Sequence, residues 1–269
     1  VVIAFKDYKV IDGILGSDWA GLEHFMAFFR DPYFEPILWN TIRISLYSFA
    51  TFPCSIIFAL MINELTNHKF KKTVQMISYM PHFISTVVVC AMVHMFFNVD
   101  GGIVNNAIVA LGGEPVPFMY KAKYFDHLYV WSGVWQGIGW GTIIYLANLS
   151  NVSPDLIEAA RIDGASRWDV VVHINIPTIL PTVVIMLILR VGSIMGVGFE
   201  KVFLLQTDLN LSASRVISTY VYERTLGAGG TTAYWDYSAA IGLFNTFINL
   251  ILIILTNTIA RKVSDIALW

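Results

Sequence analysis

Charged residues are scarce in this chain of 269 residues. Asp, Glu, Lys and Arg make up only 13% of it, about half the share in ordinary globular proteins, whereas hydrophobic residues make up 56%. Together with a mean hydropathy of +0.64, this excludes a soluble globular domain. The net charge of −2 lacks the basic excess of a nucleic-acid-binding face, so we expect no nucleic acid among the partners.

Residues for metal, nucleotide or catalytic sites are also lacking. The two cysteines, Cys54 and Cys90, lie inside apolar runs, and the histidines show no ligand spacing, so we expect neither a disulfide nor a metal site. No GxxxxGK[ST] segment is present, so the chain should bind neither ATP nor another cofactor itself; the tract at 229–232 lacks the lysine and is predicted to be a loop. Without HExxH, GxSxG or paired carboxylates in the apolar runs, we expect no catalytic residues and no enzyme.

Long apolar runs, in contrast, are abundant. About 20 apolar residues cross the hydrocarbon core of a bilayer as a helix, so the sequence predicts an all-α, polytopic membrane protein with a single transmembrane domain over residues 1–269. A sixth span is expected before the numbered chain, because residues 1–5 resemble the end of an apolar segment; a short interfacial strand is the alternative. The five predicted spans are about 38–62, 74–97, 127–149, 178–198 and 237–260.

The distribution of basic residues predicts the orientation of these spans. If the segments 63–73, 150–177 and 261–269 are cytoplasmic, they hold seven Lys and Arg in 48 residues, against eight in the 104 residues on the other side. Cytoplasmic loops carry the excess of Lys and Arg. We therefore expect a multi-pass protein of the cytoplasmic (inner) membrane with a cytoplasmic C-terminus.

The most distinctive segment is polar and lies between two of the predicted spans. Ser153 and Pro154 are a helix start, in which serine caps and proline suits the first helical position. The helix is predicted to end near Asp163, because Gly164 can adopt the left-handed conformation of a helix C-terminus. A second helix is predicted from Ala165 to the pair at 176–177. A charged helix–turn–helix at a membrane surface suggests docking onto another protein; a solvated amphipathic linker is the alternative.

This segment resembles the EAA loop of permease subunits of binding-protein-dependent ABC importers. Trp168 stands where that family has an aromatic residue, and the other matching positions are Glu158, Ala159, Ala160, Asp163, Gly164, Ala165, Ile174, Pro177 and Pro181. The resemblance implies a type I importer bundle with a cytoplasmic coupling loop at 153–177. It also implies that the ATPase-docking residues are Glu158, Ala159, Ala160, Asp163, Gly164 and Ala165.

Other segments resemble the carbohydrate branch of the same family, among them ISYMPHFISTVV and RKVSDIALW. This resemblance implies that the chain forms half of the pathway of an ATP-driven oligosaccharide importer. The implied partners are a second permease subunit, two ATPase subunits that bind ATP and Mg²⁺, an extracytoplasmic solute-binding protein and membrane lipid. Pectin-derived, uronate-containing or alginate-type oligosaccharides are the implied substrates.

Polar and aromatic residues inside the spans are candidates for a substrate pathway, because such groups face the bundle or a water-filled path. Ser132, Gln136 and Trp140 recur four residues apart, and plain helix packing is the alternative for this face. Arg190 has three open interpretations, namely pairing with a carboxylate of a partner subunit, binding of an anionic substrate, or extension to the outer surface. The predicted pathway residues are Trp135, Gln136, Trp140, Tyr145, Arg190 and Asn245.

A secondary, ion-coupled sugar carrier is the alternative function. Proton-coupled carriers use an acidic residue within the membrane. No Asp or Glu lies deep in any of the five predicted spans, which disfavours this alternative.

Overall fold

In the computed structural model, which describes residues 1–227 and 234–264, almost every element is helical. The N-terminal residues form a 3₁₀ turn, Val2–Phe5, followed by the antiparallel strands β1 (Lys6–Asp7) and β2 (Asp18–Trp19), with α1 (Gly13–Gly16) between them. The short strand that was the alternative for residues 1–5 is not seen, because residues 2–5 form the 3₁₀ turn and the strand begins only at Lys6. A separate helix, α2 (Glu23–Arg30), leads to the first span.

The first span consists of α3 (Phe34–Ala50) and α4 (Phe52–Asn63), which together form a 30-residue apolar helix. Their junction is at Thr51, and Pro53 lies in the first turn of α4, where its missing N–H leaves a gap in the hydrogen-bond ladder. The bounds of this first span, 34–63, agree with the predicted 38–62.

The prediction of one straight span at 74–97 is wrong. The segment consists of α5 (His68–Tyr79), a 3₁₀ turn (Met80–Phe83) and α6 (Thr86–Phe96), and the two α-helices meet at an angle of 98°. Pro81 interrupts the ladder, and the Ser85 hydroxyl caps the new helix by accepting the Val88 N–H at 3.4 Å. Apolar content alone does not reveal a break of this kind.

The third predicted span is α8 (Ala122–Leu149), which follows the short α7 (Ile103–Ala110). Its 28 residues are long enough to cross a bilayer. Among the described residues, three helices are both long and apolar enough to be candidate spans, at 34–63, 167–192 and 235–262. The helix α8 is less apolar than these three. The bent pair raises that number to four. Trp, Tyr, Gly and Gln in α8 lower its hydropathy, as expected of a helix that faces the interior of a bundle.

The polar segment and the fourth span are continuous. After α9 (Pro154–Ile162) come α10 (Arg167–Val170), a π turn (Val171–Asn175) and α11 (Ile176–Gly192). The prediction that Pro177 ends the second helix is wrong, because the π turn precedes it and the helix runs on from Arg167 to Gly192. The span also ends at Gly192, earlier than the predicted residue 198.

Three short helices precede the last span. They are α12 (Phe199–Leu205), α13 (Leu211–Ser214) and α14 (Ile217–Tyr222), and a π turn (Glu223–Gly227) follows them. The last span is α15 (Trp235–Ser264). The predicted loop at 229–232 lies outside the described residues.

Polar contacts tie α3 to α8 and to the short helices. The Arg43 guanidinium donates to both oxygens of Asp126, at 2.6 and 3.0 Å, and to the Ala213 carbonyl at 2.9 Å. Asn40 donates to the carbonyls of Ser212 and Arg215, both at 3.0 Å. These buried or half-buried groups are thus paired and fix helix packing.

Asp31 joins the start of α3 to the segment before the last span. Its carboxylate accepts hydrogen bonds from the hydroxyls of Tyr220 and Tyr237 and from Arg224. Burial opposes ionisation of Asp31, but the bonds from Tyr220, the Tyr33 N–H and Tyr237, together with the Arg224 charge, lower its pKa below the usual value.

The predicted orientation can be tested by cysteine labelling. Leu111 is 89% exposed and Lys72 is exposed, on opposite sides of the predicted topology. After replacement of Cys54 and Cys90, we expect Lys72→Cys to react with a membrane-impermeant thiol reagent only from the cytoplasmic side and Leu111→Cys only from outside. The reverse labelling would overturn the topology and the position of the polar segment with it.

Candidate functional site

The turn of the polar segment has the geometry that its sequence predicts. Gly164 has φ +89°, which confirms the predicted left-handed conformation. The Ala165 N–H donates to the Ala160 carbonyl at 2.9 Å and the Gly164 N–H to the Arg161 carbonyl at 3.1 Å. This pair of bonds is a Schellman motif, which satisfies the last carbonyls of α9 and fixes the direction of the chain that leaves it.

The two helices of this segment differ in how they begin. Ser153 occupies the predicted N-cap of α9, but its side chain makes no capping hydrogen bond. The second helix begins later than predicted, at Arg167, with a capping box. The Asp169 N–H donates to the Ser166 hydroxyl at 3.2 Å, and the Ser166 N–H donates to the Asp169 carboxylate at 2.9 Å.

The surface of the segment is exposed and partly apolar. Leu156, Ile162 and Trp168 are 53%, 86% and 71% exposed. Large apolar side chains that cluster at a surface mark an interaction site. Of the predicted docking residues, those that are exposed are Glu158, Ala159, Asp163 and Gly164, and those that are half-buried are Ala160 and Ala165.

A second feature is a cleft of about 700 Å³ between α3, α4, α8 and α11. Its volume lies in the range of small-molecule binding sites, roughly 300–1,000 Å³. Four of the six predicted pathway residues line it, namely Gln136, Trp140, Tyr145 and Arg190. The structure therefore brings residues from two distant helices to one surface.

The other two predicted pathway residues lie elsewhere. Trp135 lines a separate apolar groove with Trp131, on another face of α8. Asn245 does not line the cleft, and its side-chain oxygen is buried without a hydrogen-bond partner in the described part of the chain.

The Gln136–Trp140 face also supports the break between α5 and α6. Gln136 donates from its amide to the Ile84 carbonyl at 2.8 Å, and the Trp140 ring stacks on His82 with centroids 4.3 Å apart. Because a helix break leaves carbonyls without intrahelical partners, these contacts stabilise it. The packing alternative weighed from the sequence is therefore seen at the break, and the same face lines the cleft, while its part in a substrate pathway stays a prediction.

Glycines on α8 allow close approach of other elements, but not uniformly. A Cβ at Gly139 would collide with the Ser78 carbonyl, and one at Gly141 would lie 2.5 Å from the Ser55 hydroxyl. At Gly137, the middle glycine of the repeat Gly133, Gly137 and Gly141, a Cβ would meet nothing within 4 Å. The tight backbone contact is therefore at Gly139, outside that repeat.

Arg190 reaches the cleft without a carboxylate partner in residues 1–227 and 234–264. Its guanidinium donates to the Ser48 carbonyl at 3.2 Å, and the side chain is exposed. A backbone carbonyl anchors the guanidinium but does not neutralise it, so a positive charge remains available in the cleft.

Lys201, on α12, was not predicted as a site residue, yet it lines the same cleft. Its ammonium lies 5.0 Å from the centroid of the Tyr129 ring. Little in the sequence indicates this position, since a lysine in a segment predicted to lie outside the membrane is ordinarily a surface residue.

Comparisons with known proteins agree with this architecture. Residues 51–265 match the family described as binding-protein-dependent transport system inner membrane component. The chain is 41% identical to the polygalacturonan/rhamnogalacturonan transport system permease protein YteP of Bacillus subtilis, over 98% of this chain and 82% of that protein. It is 40% identical to the protein LplB of the same organism, over 97% of this chain and 81% of LplB.

Solved structures show the same fold. A bacterial ABC transporter involved in the import of the acidic polysaccharide alginate contains a chain with a TM-score of 0.89 and 35% identity, over 97% of this chain and 87% of that one. A bacterial alginate ABC transporter in complex with an alginate pentasaccharide-bound periplasmic protein contains a chain with a TM-score of 0.87 and 36% identity. This match covers 92% of this chain and 85% of that one. The predicted resemblance to the carbohydrate branch and the predicted fold class are thereby confirmed. The chain belongs to the family of binding-protein-dependent transport system inner membrane components, and it is an ABC transporter permease rather than an enzyme.

Proposed function

We propose that this chain is one of two permease subunits of an ATP-driven oligosaccharide importer in the cytoplasmic membrane. It forms half of the translocation pathway and binds an ATPase subunit through residues 153–177. The observation that carries the proposal is the exposed helix–turn–helix at 153–177, fixed by the Schellman motif at Gly164, in a chain of this family.

The chemistry of the 153–177 segment suits a protein partner. Ile162 and Trp168 offer apolar area, Ala159 lets a second surface approach closely, and Glu158 can fix the register by its charge. Because the Schellman motif at Gly164 fixes the turn, a displacement of α9 is transmitted to the helix that runs from Arg167 to Gly192. The partners proposed are therefore two ATPase subunits, which bind the ATP and Mg²⁺, and a second permease.

The cleft suits an oligosaccharide. Sugar rings have apolar C–H faces and hydroxyl edges, which match the Trp140 ring and the Gln136 amide side by side. The names of the relatives, which transport polygalacturonan, rhamnogalacturonan or alginate, support this substrate class. The complex of a related transporter with a sugar-bound periplasmic protein supports an extracytoplasmic binding protein as a further partner.

Uptake into vesicles tests this function. The permease pair, the ATPase subunits and the binding protein are reconstituted, and uptake of a labelled oligosaccharide is measured with and without ATP. We expect uptake only with ATP. Uptake driven by an ion gradient without ATP would instead establish the secondary carrier.

Two tryptophans on α8 test whether the cleft is the pathway. Trp140→Ala should lower uptake by about tenfold, because a stacking surface for the sugar is lost, at unchanged basal ATP hydrolysis. Trp135→Ala removes an equal ring from the other groove and should leave uptake within about twofold of the wild type. Equal losses of uptake in both variants, or a loss in Trp140→Ala matched by an equal loss of basal ATP hydrolysis, would assign Trp140 to packing alone.

A further inference from the structure

The charges that line the cleft are all of one sign. Arg190 and Lys201 are its cationic residues, and no Asp or Glu is among the described residues that line it. Opposite charges within a protein are ordinarily paired when they are removed from water. A cleft with two cations and no carboxylate is therefore complementary to a ligand that brings its own negative charge.

Lys201 is held at the cleft by a site built around its ammonium. On one side the Tyr129 ring lies 5.0 Å from Nζ, a cation–π contact. Gly133 also lies close to the ammonium, since a Cβ at this position would be 3.0 Å from Nζ. The Tyr129 hydroxyl in turn accepts the Gly198 N–H at 3.1 Å, which fixes the chain just before α12.

This ammonium makes no hydrogen bond or salt bridge to any group in residues 1–227 and 234–264. Its aromatic neighbour covers one side but does not neutralise the charge. The lysine is half-buried, and this burial lowers its pKa to about 8. An ammonium has three donors, and a carboxylate from a ligand would satisfy them.

We propose that Lys201, next to Tyr129 and Gly133, is a carboxylate-binding residue of the cleft, with Arg190 as the second. Its ligand is the carboxylate of a uronate in the acidic oligosaccharides that the relatives' names support. This inference rests on the proposed function, since it specifies which sugars the cleft accepts. The short helix α12, which carries Lys201, thereby takes part in substrate selection. Its position between two spans alone does not suggest this role.

The test compares an acidic sugar with its neutral counterpart in the reconstituted complex. The probes are a galacturonate trisaccharide and the same trisaccharide with its carboxyl groups reduced to alcohols, both presented at saturating binding protein. Lys201→Met removes the charge at similar length, and Lys201→Arg retains it. Lys123→Met is the matched control, because Lys123 also stacks on a tyrosine, with Nζ 4.7 Å from the Tyr124 ring, but is not among the residues that line the cleft.

We expect Lys201→Met to lower uptake of the acidic sugar about tenfold or more, while Lys201→Arg and Lys123→Met stay within about threefold of the wild type. Uptake of the neutral sugar, where the wild type shows any, should change little in all three variants. Unchanged acidic uptake in Lys201→Met, equal loss for both sugars, or a wild type that prefers the neutral sugar would overturn the inference and leave the proposed function intact. A wild type that imports neither sugar with ATP would instead refute the proposed function itself.

The dependence of uptake on pH provides a second readout. With a pKa of about 8, only about one Lys201 in ten keeps its proton at pH 9, whereas an arginine stays charged. Cys90 on α6 and Tyr129 on α8 face the ammonium, and Glu200 lies on its own helix. Arg190 on α11 and His82 in the turn before α6 line the same cleft. We expect acidic uptake by the wild type to fall several-fold between pH 7 and pH 9 relative to Lys201→Arg. Parallel profiles for the two proteins would contradict a role of the ammonium in binding.

Discussion

Replacement of Gly164 by valine should separate the permease from its ATPase and abolish ATP-driven uptake, while the membrane helices stay folded. Gly164 has φ +89°, a conformation that a β-branched residue adopts only with strain. Relief of that strain changes the direction in which the chain leaves α9, and so moves Glu158 and Ile162 relative to Trp168. The proposed contact surface is formed by both α9 and α10, so a change in the angle between them removes its fit to the ATPase.

Glu158→Lys should have a similar effect by a different cause, because it reverses a charge at the proposed contact. A reversed charge at an interface costs several kcal/mol, so substrate-stimulated ATP hydrolysis should fall by at least about tenfold. The measurement is co-elution of the ATPase in size-exclusion chromatography, together with ATP hydrolysis stimulated by sugar-loaded binding protein.

Matched controls lie on the opposite side of the predicted topology. Gly112 also has a positive φ, +84°, with nothing within 4 Å of an added Cβ, so Gly112→Val brings comparable local strain. Glu114→Lys reverses an exposed charge. Both controls should retain the ATPase. If Gly164→Val and Glu158→Lys also retain it at wild-type stoichiometry, residues 153–177 are a solvated linker.

The second large effect is expected at Gly139, where one methyl group should prevent close packing of α8 on α5. A Cβ there collides with the carbonyl of Ser78, which is backbone and cannot move aside as a side chain does. Since Ser78 lies at the end of α5, just before the 98° break, displacement of α5 also disturbs the contact of Gln136 with Ile84. We expect Gly139→Ala to lose at least about 1–3 kcal/mol of stability.

Gly137→Ala is the control for that change, two residues away on the same helix. Nothing lies within 4 Å of a Cβ at Gly137, and alanine is favoured over glycine in a helix by about 1 kcal/mol. Thermal melting in detergent should therefore show a clear decrease for Gly139→Ala and no decrease for Gly137→Ala. Equal melting temperatures would show that α5 and α8 do not pack as closely as the structure has them.

Features that depend on neighbouring residues in the chain were predictable from the sequence. Span positions follow from the apolar content of about 20 successive residues, and three of the five predicted spans agree closely with observed helices, whereas the fourth ends six residues earlier than predicted. The turn at Gly164 was equally predictable, because a single glycine at the end of a helical segment selects the left-handed conformation. The proposed docking residues are local in the chain, and for that reason they could be named from the sequence.

Features that join distant segments were decided by the tertiary structure alone. The sequence shows Pro81, but the bend between α5 and α6 is accommodated by Gly139 and Gln136, which lie on another helix. Likewise, helical periodicity already puts Trp135 and Trp140 on different faces of α8, but only the packing of the neighbouring helices decides that one lines the cleft and the other a separate groove. Lys201 became a site residue only because α12 folds back against Tyr129 and Gly133. The sequence determines which residues carry a charge. Packing between helices determines the surroundings of each charge, and these surroundings decide what it binds.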